Sequence, residues 1–87
     1  VGVNWVAQML PIKIFNDNTN MSVNPVFAAS AIIQLKSIFG SSANIRVMNN
    51  SYGGSSFDTT LFNAINELNT NNVLFVASAG NNANDND

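Results

Sequence analysis

The chain has 87 residues, of which 46% are apolar and 9% are charged, with a formal net charge of −2. This length allows one small domain, and the chain is too apolar to be intrinsically disordered. It contains no His and no Cys, so its own residues cannot build a Ser-His-Asp or Cys-His catalytic site or a thiolate zinc site. The few scattered cations argue against nucleic acid as a partner, and the lack of a long apolar run argues against a membrane.

The first strand-type segment precedes a polar loop. Residues 12–15 alternate apolar and polar side chains, which predicts a strand, and Pro11 should lie at its start or face an unpaired side. Residues 16–24 are rich in Asn and predict a loop.

A long apolar segment follows this loop. Asn24 and Pro25 are typical of a helix start and Gly40 of a helix end, so we predict a helix over residues 25–39. The spacing of its apolar residues predicts a buried face made of Phe27, Ala31, Leu35 and Ile38, flanked by Ala28, Ile32 and Phe39.

The next strand and helix are joined by a Gly-rich turn. Residues 45–49 predict a second strand, and residues 51–56 predict the turn. Asp58 is suited to cap a second helix, and one of the paired residues Asn71 and Asn72 is suited to the left-handed position at its end. Its expected apolar face contains Leu61, Ile65 and Leu68.

The last apolar segment, residues 73–77, is a continuous run typical of a parallel strand covered on both faces. The order is then β-α-β-α-β, which predicts an α/β fold with a three-layer arrangement around a parallel sheet. In such a sheet the loops at the carboxyl ends of the strands carry the function. Here those loops are residues 16–24, 50–56 and 78–87.

Two of these loops could carry chemistry. The Gly pair in residues 47–54 could cradle a phosphate, although neither GxGxxG nor GxxxxGK[ST] is present, and an ordinary strand-to-helix turn is the alternative. Residues 75–81 contain several small side chains, which could line a cleft. The alternative is that they form an ordinary Gly-Asn turn.

Taken together, the motifs resemble the subtilisin-like serine peptidases, or subtilases. The resemblance covers nearly the whole chain and rests on four segments: GVN at residues 2–4, LPIKIF at residues 10–15, VMNNSYGG at residues 47–54, and VLFVASAGN at residues 73–81. It implies a partial subtilisin-like fold, residues 1–87 being the central part of the catalytic domain.

The resemblance also implies roles for seven residues. Asn81 matches the oxyanion-hole asparagine, whose side-chain amide stabilises the tetrahedral intermediate. The other six match the two sides of the substrate cleft. On one side, Ser51, Tyr52 and Gly53 match the segment that pairs with the substrate backbone and forms one wall of the primary specificity pocket. On the other side, Ser78, Ala79 and Gly80 match the opposite wall and floor of that pocket. A peptide or protein substrate would pair with the exposed backbone as an added strand.

None of the family's catalytic Asp, His and Ser residues matches a residue of this chain. The resemblance implies that the Asp and His lie upstream of Gly2 and that the Ser lies downstream of Asp87. Because the chain starts at Val1 and shows no targeting segment, we expect a piece of a longer or processed protein, inactive alone. The family implies a secreted or cell-envelope location. It requires no cofactor, with calcium possible in the full-length protein; Asp85 and Asp87 are too few for a dedicated calcium site and suit a solvated tail.

In the family's sheet, the strand with the catalytic Asp lies between the strands that match residues 12–15 and 45–49. Without that strand, we expect the isolated chain to self-associate or swap strands. The alternative function is a non-enzymatic α/β module that binds peptides or assembles with itself. Nucleotide binding at residues 51–56 is a third hypothesis.

Overall fold

A computed structural model describes residues 2–15, 18, 25–53 and 57–83. The elements in chain order are helix α1 (Pro25–Phe39), a 3₁₀ turn (Gly40–Ser42), strand β1 (Val47–Asn50), helix α2 (Thr59–Thr70) and strand β2 (Leu74–Ala77). The two strands pair in parallel, as predicted. The α/β class is therefore confirmed.

Helix α1 spans the residues that its sequence signals predict. It ends where Gly40 adopts a φ of +55°, a left-handed conformation that costs glycine little. Near this end, the Nζ of Lys36 donates a hydrogen bond of 3.1 Å to the carbonyl oxygen of Ile45. This contact ties the helix end to the segment that enters β1. The predicted cap, Asn24, lies outside the described residues.

The predicted apolar face of α1 is wrong in part. The buried residues are Ala28, Ala29 and Ile32, whereas Phe27 and Ile38 are 68% and 72% exposed. Because α1 is apolar on nearly all sides, apolar spacing alone does not single out its buried face. The helix contacts α2, and two of its three buried residues are alanines, which are small enough to allow close packing. Three other residues that were predicted to be buried also differ from the prediction: Ala31 and Phe39 are exposed, and Leu35 is half-buried.

Helix α2 begins at the predicted cap. An oxygen of the Asp58 carboxylate accepts hydrogen bonds from the backbone N–H groups of Thr60 at 2.8 Å and Leu61 at 3.3 Å. Just outside the cap, the ring of Phe57 packs against that of Phe62, with centroids 5.7 Å apart. These positions are those of a hydrophobic staple, which sets the direction from which the chain enters the helix.

Helix α2 ends in a Schellman motif that leads directly into β2. Asn72 adopts a φ of +58°, which confirms the predicted left-handed end. The N–H of Asn72 donates to the carbonyl of Asn69, and the N–H of Val73 donates to that of Leu68. Leu68 and Val73 are both almost fully buried, in keeping with the apolar contact that often accompanies this motif. The start of β2 is thus fixed to the end of α2.

The two-stranded sheet is covered on one face only by the described residues. Its register pairs Val47 with Leu74 and Asn50 with Ala77. Met48 and Asn50 of β1 are buried, whereas Val47 and Leu74 on the other face are 55% and 63% exposed. The apolar run of β2 predicts cover on both faces, and for this part of the chain that prediction is wrong.

The predicted first strand does not form. Of residues 12–15, only Phe15 takes part in an isolated β-bridge. A strand needs the N–H and C=O groups of a neighbour, and in the described sheet β1 and β2 pair with each other. Alternation of side chains along one segment cannot supply that neighbour.

The core lies between the two helices and the inner face of the sheet. Its buried apolar residues are Ala28, Ala29, Ile32, Met48, Ala64, Leu68 and Val73. Of the predicted α2 face, Leu68 is fully buried, and Leu61 and Ile65 are half-buried. Neither of the two described helices combines the length and the hydropathy needed to cross a membrane.

Candidate functional site

The two strands end side by side at one edge of the sheet. Asn50 and Ala77, the last residues of β1 and β2, are register partners. The ladder continues one step further, because the N–H of Ser78 donates a 3.2 Å hydrogen bond to the carbonyl oxygen of Asn50. The segments that follow β1 and β2 therefore leave the sheet together, at the carboxyl edge where parallel sheets place their functional loops.

A side-chain hydrogen bond joins these segments beyond the sheet. The Oγ of Ser78 donates to the carbonyl oxygen of Tyr52 at 3.1 Å. The two residues are 26 positions apart in the sequence and belong to the two different sides of the cleft implied by the resemblance. The structure thus brings Tyr52 and Ser78 together.

Beneath this contact lies the buried side chain of Asn50, which is 1% exposed. Its Nδ2 donates to the carbonyl oxygens of Met48 at 3.0 Å and Val76 at 3.3 Å. Its Oδ1 accepts a hydrogen bond of 2.7 Å from the hydroxyl of Tyr52. One amide therefore links both strands to the first segment that leaves the sheet.

The phenol of Tyr52 is half-buried, and this burial raises its pKa above the ordinary value of 10.0. Burial disfavours the charged phenolate, so the group is neutral at physiological pH. A neutral phenol keeps its proton and can therefore donate a hydrogen bond to Asn50.

The neighbours of Tyr52 present small, exposed groups. Ser51 and Gly53 are both exposed, and the Oγ of Ser51 accepts a 2.9 Å hydrogen bond from Nδ2 of Asn49. Ser51 has a small side chain and Gly53 has none, so the backbone here is little shielded. Residues 54–56, the rest of the predicted turn, lie outside the described residues.

On the other segment, Ala79, Gly80 and Asn81 are all exposed. Gly80 has a φ of +83°, so the chain turns there in a conformation that favours glycine. The side-chain amide of Asn81 makes no hydrogen bond within the part of the chain that the structure describes, and in particular none to Ser51, Tyr52 or Gly53. Asn81 thus presents a donor to solvent at the same edge of the sheet.

The residue that the sequence interpretation missed is Asn50. It reads as the first residue of the loop, yet it is the last residue of β1. Period-two alternation from Met48 would have placed its side chain on the buried face.

Two other features lie apart from these residues. A depression of about 230 Å³ is lined in part by Val73 and Phe75, at the opposite end of β2 from Ser78. Within the described ranges, no cluster of three or more His, Cys, Asp or Glu could hold a metal ion. Asp85 and Asp87 lie outside those ranges.

Comparison with known proteins gives one match. No curated protein and no solved structure shows a significant similarity to the chain. The model of the Subtilase family of peptidases, however, matches residues 1–87, the entire length. That match extends over both strands, the two segments that leave them and the helix between. The chain therefore belongs to the subtilase family.

Proposed function

We propose that the chain is the central part of a subtilisin-like serine endopeptidase domain, in which it supplies the oxyanion donor and two sides of the substrate cleft. The observation that carries this proposal is the hydrogen bond from Ser78 to Tyr52, which joins the two cleft segments where the strands end. The match of the family model over residues 1–87 supports the same reaction class. In the complete domain the chain adopts the three-layer βαβαβ order.

Asn81 is the proposed oxyanion-hole residue. Its amide is exposed and is engaged with no described residue, so it can donate to the oxygen that becomes negative in the tetrahedral intermediate. Such a donor acts when it is held in place before the charge develops. The turn at Gly80, together with the ladder bond at Ser78, holds the segment that carries Asn81.

The exposed backbone around Ser51 and Gly53 is the proposed binding edge for a peptide substrate. An extended peptide can add to such an edge through main-chain hydrogen bonds, and small side chains leave those groups accessible. Ala79 and Gly80 offer equally small groups on the opposite side of the cleft.

The reaction itself needs residues that this chain does not contain. Its 87 residues include no His to act as general base. In this proposal the catalytic Asp, His and Ser belong to other parts of the longer protein, and the peptide bond is cleaved through a serine acyl-enzyme. The chemistry uses no cofactor, and calcium would serve stability in the full-length protein.

The sharpest test replaces Asn81 in the full open reading frame that contains these residues. Asn81→Ala should lower kcat on a chromogenic peptide by roughly 10²–10³-fold, which is the loss known for the corresponding donor of a subtilisin. We expect little change in KM, because the donor acts on the charge that develops in the transition state. Asn82→Ala is the matched control, because it removes the neighbouring exposed amide. Equal effects of the two substitutions would contradict the role of Asn81.

A second test uses the 87-residue chain by itself. Incubated with a chromogenic peptide ester, it should give no turnover above buffer, because it lacks the general base. Turnover clearly above buffer would show that the chain builds a different catalytic site and would refute the proposal.

We place the complete protein outside the cytoplasm, in the secreted or cell-envelope fraction, since the family's members are commonly exported. Fractionation of the source cells followed by immunodetection tests this location. Detection in the cytoplasmic fraction alone would contradict it.

A second candidate, self-association of the isolated chain, is favoured by its exposed apolar surface. Val47, Leu74 and Val76 share the bare face of the sheet, and none of them carries a charge that would oppose contact with a second copy. An apolar parallel strand of this type is usually covered on both faces. A sharp monomer in light scattering at high concentration, with no binding of an apolar dye, would contradict this candidate.

A further inference from the structure

Asn50 stands out because it is the only buried residue with a polar side chain in the described part of the chain. A buried amide without partners costs about 1–3 kcal/mol, so such a residue must be well bonded to be tolerated. Three bonds meet that need here: two donated by its Nδ2 and one accepted by its Oδ1.

The partners of Asn50 fix which way its amide points. The carbonyl oxygens of Met48 and Val76 can only accept hydrogen bonds, so the NH₂ group must face them. The Oδ1 is then turned toward Tyr52, whose hydroxyl must act as the donor. One carbonyl belongs to β1 and the other to β2. The paired strands therefore fix the amide of Asn50, and that amide in turn fixes the hydroxyl of Tyr52.

Tyr52 is fixed at a second point as well. Its carbonyl oxygen accepts from Ser78, while its hydroxyl donates to Asn50. Because Ser78 also bonds to the backbone of Asn50, the three residues form a closed ring of hydrogen bonds. The three hydrogen bonds of this ring join uncharged groups only.

We infer that Asn50 is a positioning residue of the cleft, whose buried amide fixes the Tyr52 ring as a specificity-determining wall. This inference rests on the proposed function, because the wall is that of the proposed substrate cleft. Asn50 is buried beneath the wall and therefore acts on substrate through Tyr52. A residue with a merely structural role would stabilise the strands without changing the pH at which the Tyr52 phenol ionises.

The test uses the phenol itself as the reporter. Tyr52 is the only tyrosine of the chain, so the rise in absorbance at 295 nm during alkaline titration reports its ionisation alone. Asn50→Ala removes an acceptor that only the protonated phenol can use, so the titration midpoint should fall below that of the unmodified chain. Asn50→Asp places a carboxylate beside the phenolate, and the midpoint should rise above that of the unmodified chain.

Asn49→Ala is the matched control. Asn49 lies next to Asn50 in β1, but its side chain is exposed and bonds to Ser51 instead. The control should leave the midpoint unchanged. A midpoint that moves as far in Asn49→Ala as in Asn50→Ala, or that moves in neither Asn50 variant, would overturn the inference.

Unfolding cannot imitate the expected pattern, because an unfolded chain titrates at the ordinary value and shows no rise for Asn50→Asp. If circular dichroism shows that both Asn50 variants are unfolded, the NMR spectrum of the Tyr52→Phe variant tests the inference instead. This variant keeps the ring and removes only the hydroxyl, so the NMR signals of the Asn50 side-chain amide should shift. Unchanged signals would overturn the inference.

A kinetic measurement separates this inference from the proposed function. In the longer peptidase, Asn50→Ala and Tyr52→Phe should change KM and side-chain selectivity among peptides more than kcat. If Asn81→Ala leaves kcat unchanged while the titrations behave as expected, the proposed function fails and the positioning of Tyr52 stands. If KM and selectivity stay unchanged in an active peptidase, Tyr52 is not the specificity wall.

Discussion

Ser78 and Tyr52 are joined by a hydrogen bond of 3.1 Å from the hydroxyl of one to the backbone carbonyl of the other. This bond links the chain just after β2 to the chain just after β1, beside the backbone hydrogen bond from Ser78 to Asn50. We predict that Ser78→Ala lowers the free energy of unfolding by about 0.5–1.5 kcal/mol, the usual contribution of one hydrogen bond. Urea denaturation monitored by circular dichroism measures the change.

Ser42→Ala provides the comparison for this substitution. Ser42 is exposed in the 3₁₀ turn after α1, where its hydroxyl bonds to no described residue. It should change the urea midpoint little. A loss for Ser42→Ala equal to that for Ser78→Ala would mean that the bond to Tyr52 contributes nothing specific.

Asp58 controls the start of α2. Its carboxylate accepts from two backbone N–H groups that would otherwise have no partner within the helix. Asp58→Ala should cost about 0.5–2 kcal/mol, whereas Asp58→Asn should retain most of the stability, because an amide oxygen also accepts at this position. Thermal unfolding of both variants tests the ranking, and equal losses would argue against capping as the cause.

Asn72 offers a prediction in which two substitutions have opposite signs. Its φ of +58° is unfavourable for residues with a Cβ, and asparagine tolerates it better than most. Asn72→Gly should raise the melting temperature, and Asn72→Ala should lower it, each by the equivalent of about 1 kcal/mol. A shift of the same sign in both variants would contradict a left-handed requirement at this position.

These positions show which features the sequence alone can predict. The cap at Asp58 and the left-handed end at Asn72 depend on residues a few positions away, so local chemistry predicts both. The buried face of α1 depends on the approach of α2, and apolar spacing placed Phe27 inside when it is 68% exposed. A strand at residues 12–15 needs a neighbour that no local pattern can supply.

The candidate site divides in the same way. Parallel pairing of two predicted strands is enough to bring their carboxyl ends to one edge, so the meeting of Tyr52 and Ser78 follows from topology. The role of Asn50 does not, because it requires the carbonyl of Val76, 26 residues further along the chain. Alternation along β1 can indicate that its side chain is buried, but only the folded arrangement shows which groups its amide bonds to.

The phenol of Tyr52 should make stability depend on pH in the alkaline range. Burial raises its pKa in the folded state above the unfolded value of 10.0, so between these two values the folded state binds more protons. Stability from this group is complete below pH 10 and is lost as the pH rises through the folded value. Comparing urea midpoints of the unmodified chain and Tyr52→Phe from pH 8 to 12 isolates this contribution. A difference between the two that stays constant above pH 10 would contradict it.

The bare face of the sheet should govern association of the isolated chain. Leu74 is 63% exposed and is paired in register with Val47, which is 55% exposed, so a charge at Leu74 would lie at the centre of this face. Leu74→Lys should shift the chain toward monomer in sedimentation velocity, because burying an unpaired ammonium between two copies is costly. Phe27→Lys is the matched control, since it places the same charge at an equally exposed apolar position on α1. If only Phe27→Lys produces monomer, the contact lies on the helices instead; if neither does, exposed apolar side chains on these two surfaces do not drive the association.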